Sequence, residues 1–163
     1  MTVAEIEGSP RAPREVRVAV LVSRYNEVVT TRLLDGARQC LREKGVPDAR
    51  VDVIWVPGAF ELAVAAEAAA AGGRYAALVA LGCVIRGETP HFEYVAGEAT
   101  RGLGNVALAH RLPIGFGVLT TENLDQALAR AGGAAGNKGY EAAEAALTTA
   151  DVLAQLTRAA PRD

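Results

Sequence analysis

Ala77-Leu78-Val79-Ala80-Leu81-Gly82-Cys83-Val84-Ile85-Arg86-Gly87-Glu88-Thr89-Pro90-His91-Phe92-Glu93-Tyr94-Val95 is the stretch that decides the fold. Its first nine residues are apolar or small, the mark of a buried strand. Gly87 and Pro90 break the run, and a helix-like pattern begins at His91. A strand passing through a short turn into a helix is half of a parallel βαβ unit. Freed backbone N–H groups and the positive end of the helix dipole meet at such a turn, which suits a phosphate or a carboxylate. Thr89 adds a hydroxyl there and His91 a titratable base. The dipole disfavours a second positive charge, so the imidazole is expected to stay closer to neutral. Taken alone, the stretch also reads as a plain loop with a surface histidine.

The same alternation extends in both directions. Upstream, Val16–Val22 is a β-branched strand and Ser23-Arg24-Tyr25-Asn26 the turn after it. Asn26 or Thr30 is placed to cap a helix reaching Lys44, with Leu33, Leu34, Ala37 and Leu41 at helical spacing and Gly45 as its stop. Val51–Val56 is a second strand, ended by Pro57-Gly58, and Phe60–Ala71 an alanine-rich helix closed by Gly72-Gly73. Downstream, His91 to about His110 is a helix and Ile114–Leu119 a fourth strand. Thr120-Thr121-Glu122-Asn123 caps a helix through Arg130. Gly132–Gly139 is a glycine-rich joint, and Tyr140–Arg158 a last helix. The order β-α-β-α-β-α-β-α-α predicts a four-stranded parallel sheet covered on both faces through right-handed crossovers. A flavodoxin-like, doubly wound α/β sheet fits best; a closed (β/α)₈ barrel needs roughly 250 residues.

The chain of 163 residues suits one domain with a core of its own. An arm is expected over residues 1–15, with a short strand at Thr2–Glu7, the α/β domain over 16–158 and a tail over 159–163. An arm without a partner in its own domain lies on a neighbour or stays disordered. Half the residues are hydrophobic and the mean hydropathy is +0.15, which describes a globular chain. A net charge of −2 without a basic block speaks against nucleic acid. No stretch reaches the roughly 20 apolar residues of a membrane span, and no signal-peptide core is evident. Cys40 and Cys83 sit in separate elements, so a reducing cytoplasm without disulfides is expected, with both cysteines as packing residues. No metal site is implied.

Ligands of such sheets bind beyond the carboxyl ends of the strands. Those ends deliver Tyr25, Phe60, Phe116, Glu61, the turn Gly87-Glu88-Thr89 and His91. This inventory suits a flat heteroaromatic with a polyhydroxy tail beside a small phosphate ester. Other readings stand beside it. Phe60 and Phe116 are ordinary core candidates. Glu61 and Arg130 suit the ends of helix dipoles, and Lys138 reads as a solvated charge. Neither a Walker loop nor a G-x-G-x-x-G turn is present.

Four motifs occur in order. They are Val56-Pro57-Gly58-Ala59-Phe60-Glu61; Gly82 through Val95; Gly117-Val118-Leu119-Thr120-Thr121-Glu122-Asn123; and Arg130-Ala131-Gly132 with Gly136-Asn137-Lys138-Gly139. Together they resemble the lumazine synthase family from about Val16 to Leu156. The resemblance implies condensation of 5-amino-6-(D-ribitylamino)uracil with 3,4-dihydroxy-2-butanone 4-phosphate to 6,7-dimethyl-8-ribityllumazine. This is the penultimate step of riboflavin biosynthesis, and it releases phosphate and water without a cofactor.

By the same resemblance Tyr25 stacks on the pyrimidine, and Ala59, Phe60 and Glu61 hold ring and ribityl chain. Cys83, Val84 and Ile85 offer backbone hydrogen bonds, Glu88 and Thr89 cradle the butanone phosphate, and His91 moves protons. Phe116 and Arg130 come from a neighbouring subunit, Arg130 facing the phosphate. Tyr25 stands where Phe or Trp is more usual, Cys83 where Thr or Ser also occurs, and Ala134 where some members carry Lys. The family forms pentamers, some paired and some closed into icosahedral shells, which would place the N-terminal arm on a neighbour's sheet. Riboflavin synthase is the further partner it suggests. A non-catalytic flavin- or lumazine-binding module and a shell-forming structural protein are the alternatives in other functional classes.

Overall fold

The computed structural model describes residues 2–13 and 15–159. Four strands, β1 (Val18–Ser23), β2 (Val51–Val56), β3 (Ala77–Ile85) and β4 (Ile114–Thr121), form one parallel sheet in the order β2-β1-β3-β4. The order reverses after β2, so β1 and β3 lie at the centre. Their residues are correspondingly buried almost end to end, the pattern of strands covered on both faces.

Alternate residues of β1 feed two cores. Val18, Val20 and Val22 pack under α1 (Glu27–Glu43) and α5 (Lys138–Ala159), while Ala19 and Leu21 pack under α2 (Leu62–Ala71) and α3 (His91–His110). The doubly wound α/β architecture is therefore the expected one.

The helix boundaries follow local chemistry. Gly45 adopts φ 97° after α1; its N–H reaches the Arg42 carbonyl and the Val46 N–H the Leu41 carbonyl at 2.8 Å, a Schellman stop that a side chain with Cβ resists. Asn123 Oδ1 accepts the Gln126 N–H at 2.9 Å and caps α4 (Leu124–Ala129).

Several expectations are corrected. Asn26 sits at the N-cap of α1 in the left-handed region, but its side chain does not cap; Nδ2 donates to the Cys83 carbonyl at 2.9 Å instead. Thr30 lies buried inside α1. Ala59–Glu61 forms a 3-10 turn ahead of α2, and β4 runs on to Thr121. The glycine-rich joint is an antiparallel hairpin of β5 (Ala131–Gly133) and β6 (Gly136–Asn137). Positive φ at Gly132 and Gly136 makes this tight reversal possible.

Residues 2–7 form no strand within the chain. Residues 7–12 do have a partner in their own domain: Ser9 N–H donates to Asp151 at 2.9 Å, Gln155 Nε2 to the Glu7 carbonyl, and Ala12 N–H to the Lys44 carbonyl. Of the expected arm and tail, residues 1, 14 and 160–163 lie outside the described residues; α5 itself ends at Ala159.

Candidate active site

A cleft of about 720 Å³ opens at the carboxyl ends of β1, β2 and β3. Three loops and one helix end meet there. The β1–α1 turn carries Tyr25, pinned by its N–H to the Pro57 carbonyl at 3.0 Å, while the Arg24 N–H donates to the Val56 carbonyl at 2.8 Å. The turn after β2 carries Ala59, Phe60 and Glu61. Glu61 folds back to accept the Gly58 N–H at 3.0 Å, which fixes its carboxylate at the entrance of α2. The end of β3 supplies Cys83, Val84 and Ile85, and the first turn of α3 supplies His91. Asn26 joins two of these parts through the Cys83 carbonyl.

Nine of the twelve residues singled out from the sequence line this cleft: Tyr25, Ala59, Phe60, Glu61, Cys83, Val84, Ile85, Thr89 and His91. Glu88 shares the exposed turn without lining the cleft. Phe116 and Arg130 lie elsewhere. Phe116 faces a second groove between α3, β4 and α5, together with Leu108, Arg111 and Lys138. Arg130 ends α4 and its Nη1 donates to the Gln126 carbonyl at 3.0 Å.

Exposure decides between core and site for the aromatics. Tyr25 is 74% exposed, Phe60 57% and Phe116 49%, so none of them is a core residue. Phe92, Tyr94 and Val95 line the cleft as well, and sequence reasoning gave them no role. The available signal was the i, i+3 spacing of Phe92 and Val95, which turns both towards the sheet.

The electrostatics sort the candidates further. Burial pushes the Cys83 thiol up to about 11, so at neutral pH it is an uncharged packing group. Cys40 is raised to about 11 by burial and by the nearby Glu144 carboxylate. His91 is exposed at the positive end of a twenty-residue helix. Among the described residues, no side-chain hydrogen bond occupies the Thr89 hydroxyl or the Glu88 carboxylate. No helix of these residues is long and apolar enough to cross a membrane.

A doubly wound sheet with exposed aromatics, a fixed carboxylate, a histidine and a helix N-terminus on one rim defines an α/β protein with a small-molecule cleft at the carboxyl ends of its strands. Comparison with known proteins narrows the class. Residues 15–154 match the family model described as 6,7-dimethyl-8-ribityllumazine synthase. The chain is 51% identical over 143 residues to a 6,7-dimethyl-8-ribityllumazine synthase of Chlorobium phaeobacteroides, covering 88% of this chain and 92% of that protein. The chain belongs to the 6,7-dimethyl-8-ribityllumazine synthase family. It is thus an enzyme, a transferase of the lumazine-forming condensation step of riboflavin biosynthesis, with small-molecule substrates. Nothing favours the non-catalytic module or the structural shell protein.

Proposed function

We propose that the cleft is where the aminouracil and the butanone phosphate meet, and that His91 is the group that moves protons between them. The observation that carries this reading is the convergence of His91, Thr89, Tyr25, Phe60 and Glu61 on one cleft from three separate segments.

Tyr25 and Phe60 present exposed ring faces for the flat pyrimidine, worth about 1 kcal/mol per stacked pair beyond area burial. Glu61 faces the ribityl hydroxyls, and the β3 backbone at Cys83, Val84 and Ile85 supplies fixed hydrogen-bonding groups beside the ring. Gly87, Glu88 and Thr89 cradle the phosphate, where the unpaired N–H groups of α3 stabilise its charge.

The amine attacks the ketone and a water is lost, phosphate is eliminated, and ring closure onto the second carbonyl expels a second water. Every step moves a proton, which an imidazole does near neutral pH. Holding two substrates in register supplies much of the remaining acceleration.

Phe116 and Arg130 complete the site from a second copy of the chain. The half-exposed ring of Phe116, in a groove on the edge strand β4, supports this. Arg130 then neutralises the leaving phosphate. A pentamer, or a multiple of it up to a closed shell, is the assembly in keeping with a shared site. The exposed residues 2–6, with Val3 86% exposed, are available to add to the open edge of a neighbour's β2. Two free, buried cysteines accord with a cytoplasmic setting, where riboflavin synthase consumes the product.

Replacement of His91 by Ala tests the reading. Lumazine formation, followed by absorbance, is expected to fall at least about tenfold while affinity for the lumazine product holds. Unchanged turnover would remove His91 from its role.

A further inference from the structure

The turn from Gly87 to Pro90 is tied to the chain mainly at its ends. The Arg86 N–H donates to the Thr121 carbonyl at 2.8 Å, and the Glu93 N–H to the Pro90 carbonyl at 3.0 Å. Gly87, Glu88, Thr89 and Pro90 are all exposed, and nothing comes within 4 Å of where a Cβ on Gly87 would stand. A turn so loosely surrounded needs something to hold its two ends together if it is to present a defined cradle.

Arg86 is in that position. Its guanidinium lies over the Phe92 ring at 4.5 Å, on the far side of the turn. The same group pairs with Glu93 at 3.6 Å and with Glu122 at 2.9 Å. Arg86 therefore links the end of β3, the first turn of α3 and the turn between β4 and α4. Phe92 lines the cleft next to His91, so whatever fixes Phe92 also fixes the start of α3.

We infer that Arg86 is a positioning residue for the reaction: its planar cation, stacked on Phe92 and paired with Glu93 and Glu122, clamps the Gly87–Pro90 turn shut and sets the entry angle of α3. The inference rests on the reading of that turn and of His91 given above. Exposed ion pairs of this kind hold little energy, and the Arg86 side chain is 40% exposed. The effect is one of geometry. Two carboxylates and an aromatic face already engage the guanidinium, so it acts on the phosphate cradle through the turn. A planar fork makes these contacts simultaneously, which an ammonium cannot.

The test is steady-state kinetics of the full-length enzyme with each substrate varied in turn, for Arg86→Met, Arg86→Lys and Glu122→Gln. Arg86→Met should lower kcat/KM for the butanone phosphate about tenfold, since small misplacements at a reacting centre are costly. The KM for the aminouracil should stay within about twofold, because Tyr25 and Phe60 belong to other loops. Arg86→Lys should recover part of the loss, and Glu122→Gln should repeat it in weaker form without disturbing the fold.

A rise in the KM for the aminouracil as large as that for the butanone phosphate, or no loss in any of the three variants, would overturn the assignment. His91→Ala in the same assay separates the two levels. If it is impaired and the Arg86 variants are not, the clamp alone fails. If it is unimpaired, the reading of the site fails first.

Discussion

Cys83 lies in the cleft wall, yet its thiol is pushed up to about 11 by burial, as is Cys40. At pH 8 about one thiol in a thousand is ionised, against about one in ten at the ordinary value of 9.0. Alkylation of the native protein at pH 8 is therefore expected to be at least about 100-fold slower than alkylation of the chain unfolded in urea. The sign of the linked stability follows. Both thiols are raised on folding, so their contribution is complete below about pH 9 and is lost as the pH climbs through about 11. Fast labelling of either cysteine in the native state would contradict this.

The cysteines were legible as packing residues because neither has a base beside it in sequence. Phe60 and Phe116 were not assignable in that way. An aromatic in an apolar segment reads as core or as site alike, and only its exposure separates the two. Asn26 misled for a related reason: cap residues and left-handed turn residues share a composition, and the partner that decides, the Cys83 carbonyl, is distant in sequence.

Among the elements, the strands and most helix ends were readable because their periods and stops are local. The β5–β6 hairpin was not, since its positive-φ glycines read equally as a joint and the contact that fixes Asn137 at its end is distant in sequence. Asn137 accepts the Gly139 N–H at 2.9 Å, caps the start of α5, and donates to the Arg32 carbonyl of α1 at 3.0 Å. Where α5 begins, Gly139 lies so close to α1 that a Cβ there would stand 2.0 Å from the Leu33 carbonyl oxygen. Backbone cannot yield cheaply at that point, so Gly139→Ala is expected to cost about 2 kcal/mol or more, read as a drop in the urea midpoint.

The arm belongs to the same scale. Its hold on α5 depends on Asp151, whose carboxyl is kept below the usual carboxylate range by the Ser9 N–H and then by Gln155. That contribution is present above the ordinary carboxylate pKa and fades as the pH falls through the lowered one. Asp151→Ala should accelerate hydrogen exchange at the Ser9 amide while the core of α5 keeps its protection; loss of protection throughout α5 would mean that the contact supports the helix itself.

At the scale of the whole molecule, one chain holds the candidate residues in separate places. The cleft holds His91 with Tyr25 and Phe60, while Phe116 faces a separate groove and Arg130 caps α4. The shared-site proposal then requires two copies of the chain for one complete site. Co-expression of His91→Ala chains with Arg130→Ala chains, each expected to be impaired alone, measures this most directly. Random mixing in a closed ring with one shared site per interface should restore about a quarter of the wild-type rate of lumazine formation, because about one interface in four pairs an intact His91 with an intact Arg130. A mixed assembly no more active than its parents would place the whole site within one chain and contradict the shared-site proposal.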